Sequence, residues 1–504
     1  MVAGDSLLQS STTRTSTASN ATISHARAAV TIFGCTVSGG LVAIPGAYQA
    51  VGLAPSLLMS VIAGITTGLS LVALAMVSKR AGGVSTYGEV AGKLTGGPYL
   101  ACFVDLLISV FLIGVLTGSF IVLRDWLASL VPTQELAFCA TIGVAVFGMF
   151  PLALPRRIGM LAYSSFLSLA GFSLLVVVLL TYGIQEEMAE GSSSVTQNAS
   201  SVWWPDTFDP LKLGLSFNVQ IYSFACQFQL MSIFQDLRTR LHDGARTGHS
   251  TSPSLATAAA SPVPCVRFDA VVGAAVSGMF CLFGLTGVLG VLAFPGVELS
   301  GDILATLDSK PLGPAVRGCL AVAIGLSGPL MIHPTREGFA RFGALVAHRM
   351  GLVSARRAEV LSEKPPWCVH TVLTALIIAL ATTFALTFDK LMVLVSYLGA
   401  FLLCPLGLAF PALALVLLPP PASHVADNEE AGATRITAGS ISPLMTSSVG
   451  ANWAVNEPSL LANKTSTSAG TGQGWRIWLL AAWLILVALT TVGVSVANLI
   501  VART

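Results

Sequence analysis

Charge is scarce in this sequence of 504 residues, of which only 10% are Asp, Glu, Lys or Arg, against about 25% in an average soluble protein. The 26 basic and 24 acidic residues nearly cancel, so the chain has no basic field that would hold nucleic acid. HExxH, GxSxG and CxxC motifs are absent, as is a phosphate-binding glycine loop. We therefore expect no enzymatic activity, no cofactor, no metal site and no nucleic-acid partner.

Long apolar runs are what the sequence does contain, with 54% apolar residues and a mean hydropathy of +0.79. A helix needs about 20 apolar residues to cross a hydrocarbon core about 30 Å thick, and an unpaired charge inside that core is costly. The charge-free runs therefore predict an all-α, polytopic membrane protein with eleven spans. Numbered 1 to 11 in chain order, the predicted spans cover about residues 28–51, 54–78, 98–123, 136–155, 158–183, 212–235, 269–295, 314–335, 367–388, 391–418 and 476–501.

The distribution of basic residues predicts the orientation of these spans. With the N-terminus in the cytosol, 20 of the 26 Lys and Arg residues fall in cytosolic segments, as the positive-inside rule requires. A missed span would invert every later loop, so this alternation supports both the span count and a cytosolic N-terminus. Asp105, His333 and His370 lie within spans but near their predicted cytosolic ends, and we interpret them as helix-end residues. The alternatives are a proton relay for Asp105 and a ligand role for the two histidines.

Three polar segments lie on the predicted cytosolic side. Residues 1–27 are rich in Ser and Thr, and we expect a disordered tail there. Residues 236–267 and 419–474 show no apolar period that could fill a core, so we expect flexible loops. Among three Asn-x-Ser/Thr sequons, Asn198 alone falls on the outer side, which makes it the candidate for glycosylation.

Span 1 carries a pattern that favours an interruption of its helix. Gly39 and Gly40 lie about halfway along it, with Ser38 before them and Pro45 after them. Small residues also permit close helix packing, but an adjacent glycine pair followed by a proline favours an unwound segment. Transporters bind substrates at such breaks, because freed backbone groups can hold charged solutes without a charged side chain.

Span 6 is unusually rich in amides, with Asn218, Gln220, Gln227 and Gln229. Buried amides need partners, so this cluster implies either hydrogen bonds between helices or a water-filled cavity. Spans 1 and 6 hold corresponding places in two five-helix halves, spans 1–5 and spans 6–10. That correspondence is typical of an inverted repeat with its site between the halves.

The order of several motifs resembles the amino acid/auxin permease family of secondary transporters. The similar segments are residues 38–48 (SGGLVAIPGAY), 222–227 (YSFACQ), 233–237 (IFQDL), 294–298 (FPGVE) and 333–336 (HPTR). The resemblance covers the whole span pattern. It implies the LeuT-type fold, a five-plus-five inverted repeat with an eleventh helix added, and coupled symport or exchange of amino acids with H⁺ or Na⁺.

The helix breaks and the resemblance together predict a substrate site between spans 1 and 6. The carboxylate of an amino acid would lie against residues 38–41, and its ammonium would meet carbonyls of residues 222–226. Asn218 and Gln227 would set selectivity. The predicted substrate-binding residues are Ser38, Gly39, Gly40, Leu41, Asn218, Tyr222, Ser223, Cys226 and Gln227.

Two departures from the family's pattern bear on the coupling ion. Family members that use Na⁺ often place an Asn a few residues before the first-span glycines, where this chain has Gly34, and many members have a His where this chain has Gln227. Fewer oxygen ligands weaken a Na⁺ site, so we favour H⁺ coupling or exchange. The hydroxyls of Thr36 and Ser327 are the candidate ion-coupling groups, and they keep Na⁺ as the alternative.

We therefore predict a secondary transporter of amino acids in a plasma membrane or in a vacuolar or lysosomal membrane. Its expected partners are an amino acid, H⁺ or Na⁺, and the lipid bilayer, while the sequence identifies no protein partner. One alternative is a carrier of another small amine or acid on the same fold. The other is a transporter-like amino acid sensor whose cytosolic loops recruit partners.

Overall fold

The computed structural model describes residues 29–30, 32–34, 36, 39–84, 86–155, 161–190, 202–204, 207–231, 265–295, 297–299, 301, 303–307, 310–363, 365–388, 390–419 and 471–501, and all regular structure in these ranges is helical. The helices are Gly39–Val51, Leu53–Arg80, Tyr87–Thr95, Pro98–Leu130, Gln134–Gly143, Val144–Met149, Phe150–Ala153, Leu161–Glu190, Pro210–Ser223, Cys265–Leu292, Ile303–Leu307, Gly313–Arg349, Ala355–Glu363, Trp367–Thr387, Leu391–Tyr397, Leu398–Ala409, Phe410–Leu417 and Thr471–Val501. Ser38, Asn198, the predicted tail and all but the edges of the two predicted loops lie outside the described residues.

Nine helical stretches of the described chain are long and apolar enough to cross a membrane. They coincide with predicted spans 2 to 5 and 7 to 11, and they confirm an all-α, polytopic membrane protein. Spans 1 and 6 differ, because their longest described helices, Gly39–Val51 and Pro210–Ser223, have 13 and 14 residues. At about 1.5 Å per residue, neither helix crosses the hydrocarbon core alone. The count of eleven and the five-plus-five repeat stay predictions.

The helix of span 3 continues beyond its predicted end at residue 123. It runs through Arg124 to Leu130, so Arg124, which directly follows the predicted span, is part of the helix. The guanidinium of Arg124 is buried and donates hydrogen bonds to the carbonyls of Ala385 at 2.7 Å and Phe388 at 3.0 Å. Because these carbonyls end the span 9 helix, a cation there satisfies acceptors that the helix leaves open.

Span 8 is also longer than the charge-free run predicted. Its helix extends from Gly313 to Arg349, about four turns past the predicted end at residue 335. The continuation passes through Arg336, which is buried and donates hydrogen bonds to the carbonyl of Ala153 and the hydroxyl of Thr374, both at 3.1 Å. A charge that ends an apolar run in sequence can therefore lie inside a packed helix when neighbouring spans supply acceptors.

Spans 3 and 8 pack against each other at the predicted cytosolic end. A Cβ on Gly338 would lie 2.8 Å from the carbonyl oxygen of Asp105 and would overlap the hydroxyl of Ser109. That hydroxyl donates hydrogen bonds to the carbonyls of Asp105 at 2.7 Å and Thr335 at 3.3 Å. The small residue at 338 therefore allows the two backbones to approach closely.

Span 10 combines two α-helical ends with a central π-helix, Leu398–Ala409. A Cβ on Gly399 would lie 2.6 Å from the carbonyl oxygen of Asn218, and one on Gly407 would lie 3.5 Å from Cδ of Gln227. The π-helix is a rare conformation that is frequent at functional sites, and here it packs against span 6. Span 10 thus follows span 6 on both sides of residues 224–226.

Candidate functional site

Residues 39–51 form one helix that includes Pro45, so the unwound segment predicted from Gly39, Gly40 and Pro45 is wrong within these residues. The glycines instead permit close helix packing, which was the alternative. The helix Gly39–Val51 begins against the end of helix Pro210–Ser223. A Cβ on Gly40 would lie 2.8 Å from Oγ of Ser223 and 2.8 Å from Cδ1 of Tyr222. Any larger residue at position 40 would therefore displace the end of the span 6 helix. The structure thus brings together predicted substrate residues from spans 1 and 6.

Gly39 makes a second close approach beside this contact. A Cβ there would lie 3.2 Å from Cδ1 of Leu391 and 3.5 Å from the carbonyl carbon of Gly118. Span 3 and span 10 therefore adjoin the start of helix Gly39–Val51. Leu41, the next predicted residue, is fully buried.

Span 6 is interrupted at residues 224–226, where helix gives way to a turn before it resumes at Gln227. The amide of Phe224 donates to the carbonyl of Gln220 at 3.2 Å, and the amide of Ala225 donates to the carbonyl of Tyr222 at 2.9 Å. The interruption falls where we expected backbone carbonyls to face a substrate ammonium. A helix end carries partial negative charge on its last carbonyls, which suits a cation.

Gln227 stabilises the far side of the interruption with its own side chain. Its Oε1 accepts a hydrogen bond from the amide of Cys226 at 3.0 Å. Its Nε2 is buried and has no hydrogen-bond acceptor among the residues that the structure describes. The carboxamide is therefore fixed at one end and offers a donor at the other, a few residues from the contact between Gly40 and Ser223.

Gln220 has a structural role in the same helix. Its Oε1 accepts a hydrogen bond from the hydroxyl of Ser60 at 2.8 Å, and that hydroxyl lies 2.6 Å from the hydroxyl of Tyr48. Its Nε2 donates to Ser216 at 3.3 Å, and Ser216 donates to the carbonyl of Ala47 at 2.9 Å. The amide network therefore joins spans 1, 2 and 6. For Gln220, this agrees with hydrogen bonds between helices, the first of the two alternatives that the sequence left open.

Asn218 is directed towards span 11. Its Nδ2 donates a hydrogen bond to the hydroxyl of Ser495 at 2.6 Å, whereas its buried Oδ1 has no hydrogen-bond donor within the described ranges. One turn earlier, a Cβ on Gly214 would overlap Val494. The Nδ2 of Asn218 therefore contacts span 11, while its Oδ1 is an acceptor without a donor in the described part of the chain. Its role in selectivity stays a prediction.

The model of one protein family, described as transmembrane amino acid transporter protein, matches residues 21–258 and 245–423 of this chain. The chain belongs to this family. The matched residues include spans 1 to 10 and end before span 11, so they contain spans 1 and 6. The resemblance inferred from the motifs is thereby confirmed.

Two curated members of the transporter family illustrate the range of relatives. The chain is 23% identical over 301 residues to "Vacuolar amino acid transporter 7" of Saccharomyces cerevisiae, an alignment that covers 60% of this chain and 56% of the relative. It is 24% identical over 327 residues to "Sodium-coupled neutral amino acid transporter 7" of Xenopus laevis, covering 62% of this chain and 64% of the relative. The chain thus aligns with less than two thirds of either relative's length.

In this member of the transporter family, the candidate ion-coupling residues Thr36 and Ser327 each bond within their own helix. The hydroxyl of Thr36 donates to the carbonyl of Phe33 at 2.7 Å, and the hydroxyl of Ser327 donates to that of Ile324 at 2.6 Å. Both hydroxyl protons are thus used within their own helices. No hydrogen bond joins the two residues in the described part of the chain, where no metal-binding cluster of His, Cys, Asp or Glu occurs either.

Asp105, His333 and His370, which we interpreted as helix-end residues, differ in their contacts. Nδ1 of His333 lies 3.3 Å from a carboxylate oxygen of Glu337, one turn along the helix. Nε2 of His370 lies 3.0 Å from the carbonyl oxygen of Leu154. Asp105 differs, because it pairs with a cation 236 positions away, and no local pattern could have identified that partner.

Proposed function

We propose that this protein is a secondary transporter of amino acids whose substrate binds between the start of helix Gly39–Val51 and the interruption at residues 224–226. The observation that carries the proposal is the contact of Gly40 with Tyr222 and Ser223. It places a helix start beside a helix end within a chain of the transporter family. The chain's activity, substrate and coupling ion are parts of this proposal.

The two helix ends are complementary to an amino acid zwitterion. The start of a helix presents amide donors and partial positive charge, which favour a carboxylate. The end of a helix presents carbonyls and partial negative charge, which favour an ammonium. Binding by backbone groups needs no charged side chain at the site, in agreement with the low charge of the spans.

The surroundings of the glycine pair favour a substrate with a neutral side chain. The side chains nearest Gly39 and Gly40 are those of Leu391, Tyr222 and Ser223, all uncharged. A charged substrate side chain would lose its hydration there without an ionic partner. The Nε2 of Gln227 could donate a hydrogen bond to a substrate carboxylate or to a polar side chain.

We propose coupling to H⁺, with Na⁺ as the alternative, in a vacuolar or plasma membrane. The names of the two relatives mention a vacuole in one case and sodium coupling in the other. Family members that use Na⁺ often have an Asn at the position of Gly34, and many members have a His at the position of Gln227. This chain lacks both residues, which supports H⁺ coupling. The hydroxyls of Thr36 and Ser327 retain lone pairs that could contact Na⁺.

Uptake into proteoliposomes tests the proposal. The purified chain is reconstituted, and uptake of a labelled amino acid panel is measured with a pH gradient, a Na⁺ gradient or no gradient. We expect uptake of neutral amino acids that a pH gradient stimulates. No uptake of any amino acid under any gradient would overturn the proposal. If amines or organic acids compete for uptake and amino acids do not, the alternative of a carrier for another small amine or acid is favoured. If the chain binds an amino acid but does not take it up, the sensor is favoured.

Two glycine variants locate the site in the same assay. Gly40→Ala adds a methyl group 2.8 Å from Ser223 and Tyr222. Gly284→Ala, in the helix of span 7, adds one where no atom lies within 4 Å apart from its chain neighbours and the adjoining backbone of its own helix. We expect Gly40→Ala to lower uptake at least about tenfold and Gly284→Ala to retain it, since overpacking at one contact costs about 1–3 kcal/mol. Equal uptake by both variants would place the site elsewhere.

A further inference from the structure

The short helix Tyr87–Thr95, between spans 2 and 3, is held by an ion pair from two other helices. Nη1 of Arg341 lies 3.0 Å from Oδ2 of Asp105 and donates a second hydrogen bond to the hydroxyl of Thr86 at 3.1 Å. The other carboxylate oxygen of Asp105 accepts a hydrogen bond from the amide of Gly88 at 3.1 Å. We call Asp105, Arg341, Thr86 and Gly88 the cytosolic latch, since these residues all lie at the predicted cytosolic side.

The latch fixes the first turn of the short helix. The side chain of Asp105 is only 9% exposed, and a Cβ on Gly88 would overlap its carboxylate. The hydroxyl of Thr86 caps the helix by accepting a hydrogen bond from the amide of Glu89 at 3.2 Å. Tyr87, between Thr86 and Gly88, therefore has little freedom while the ion pair is intact.

Tyr87 begins a continuous row of aromatic rings that leads to the proposed substrate site. Its ring centroid lies 5.4 Å from that of Phe228, Phe228 lies 4.8 Å from Phe111, and Phe111 lies 6.0 Å from Tyr222. Tyr222 in turn contacts Gly40. Tyr87 is 2% exposed, and burial raises its pKa well above the usual value, so the row ends in a neutral phenol.

We propose that Tyr87 closes the cytosolic side of the substrate site and that the cytosolic latch holds it closed. The proposal rests on the proposed function, because it assigns the path by which a bound amino acid reaches the cytosol. Release requires the short helix to withdraw Tyr87 from Phe228, and that movement separates Asp105 from Arg341. A largely buried ion pair suits such a switch, since the desolvation of its charges offsets much of their attraction.

Cys226 reports opening without any need for transport. It lies in the interruption of span 6, is 1% exposed, and precedes by two residues Phe228, whose ring packs against Tyr87. Inside-out membrane vesicles are treated with a charged, membrane-impermeant maleimide, and labelling of matched variants carrying Cys226→Ser is subtracted. We expect Tyr87→Ala and Asp105→Asn to raise the labelling rate of Cys226 about tenfold or more.

Two variants serve as controls for the labelling experiment. Tyr87→Phe keeps the ring, and Arg349→Gln removes an exposed cation two turns beyond Arg341 on the same helix, so both should label at the rate of the parent chain. The proposal is overturned if Tyr87→Ala labels no faster than these controls, or if labelling rises only in right-side-out vesicles. Tyr87→Ala leaves the ion pair intact, so it tests the proposal even if Asp105→Asn does not fold.

The same experiment separates this proposal from the proposed function. Thiol labelling measures access to Cys226 whether or not the chain moves an amino acid. If no amino acid is taken up but Tyr87→Ala and Asp105→Asn still raise the labelling of Cys226, transport is refuted and the closure is retained. If uptake is normal but these two variants do not change the labelling of Cys226, the closure is refuted and transport is retained.

Discussion

Asn218 donates a hydrogen bond from its side-chain amide to the hydroxyl of Ser495 at 2.6 Å, and both residues are buried. The bond joins the short helix of span 6 to span 11, which lies beyond the residues matched by the family model. Gly214 reinforces the contact by its close packing on Val494. Span 11 therefore supports one of the two helices that form the proposed substrate site.

Replacement of Ser495 by Ala should destabilise this contact. The amide of Asn218 would lose its acceptor, and hydrogen bonds between membrane helices contribute about 0.6–2 kcal/mol. We expect a lower midpoint of thermal unfolding in detergent. Thr490→Ala is the matched control, because that exposed hydroxyl bonds only to carbonyls of its own helix in the structure. Equal midpoints for the two variants would contradict a supporting role for span 11.

Gln227→Glu should weaken substrate binding while keeping the interruption of span 6 intact. The new carboxylate can still accept the hydrogen bond from the amide of Cys226, but the Nε2 donor is lost. A hydrogen bond to a charged group contributes about 1.5–3 kcal/mol, so we expect the KM for the amino acid to rise at least about tenfold. Gln229→Glu is the control, since the Nε2 of Gln229 contacts Sδ of Met331 at 3.0 Å. A similar rise in both variants would argue against a specific role for Gln227.

The glycine pair of span 1 shows in part what sequence could predict. The unwound segment that Gly39, Gly40 and Pro45 favoured is wrong for residues 39–51, which are helical, but the structure does place Gly40 against span 6. The interruption of span 6 falls within residues 222–226, as the motif in that segment led us to expect. Both features depend on residue types that lie next to one another in the chain.

The amides of span 6 show what sequence could not predict. Gln220, Asn218 and Gln227 look alike in the pattern, yet one bonds to span 2, one to span 11 and one to the backbone amide of the preceding residue. The difference depends on the rotation of the helix and on which neighbour each face meets. The pairing of Asp105 with Arg341 depends likewise on tertiary packing across 236 positions.

Arg124 should stabilise the outer end of the helix pair formed by spans 3 and 9. Arg124→Gln removes a buried cation that donates to the carbonyls of Ala385 and Phe388. Hydrogen bonds involving a charged group contribute about 1.5–3 kcal/mol, and we expect a clearly lower thermal midpoint. Lys390→Gln, which alters an exposed cation just beyond the same helix end, should leave the midpoint within error. A fall of the same size in Lys390→Gln would indicate a general effect of charge.

Glycosylation at Asn198 tests the predicted orientation. With the N-terminus in the cytosol, the sequon at Asn198 faces the lumen of the secretory pathway, whereas those at Asn20 and Asn463 do not. We expect a glycosidase to increase the mobility of the expressed chain, and Asn198→Gln to abolish that change. If the mobility change persists in Asn198→Gln and disappears in Asn20→Gln or Asn463→Gln, the orientation is opposite to the predicted one.

Ser60 is the centre of the network that joins the two short helices. Its hydroxyl lies 2.6 Å from that of Tyr48 and donates to Oε1 of Gln220 at 2.8 Å. Ser60→Ala would leave both partners buried without this bond, at a cost of about 1–3 kcal/mol. Because Tyr48 and Gln220 belong to the helices that flank the proposed site, we expect lower uptake as well as a lower thermal midpoint. Ser173→Ala is the control: it removes an exposed hydroxyl that bonds within span 5 and should change neither uptake nor the thermal midpoint. Unchanged uptake in Ser60→Ala would show that transport does not depend on this network.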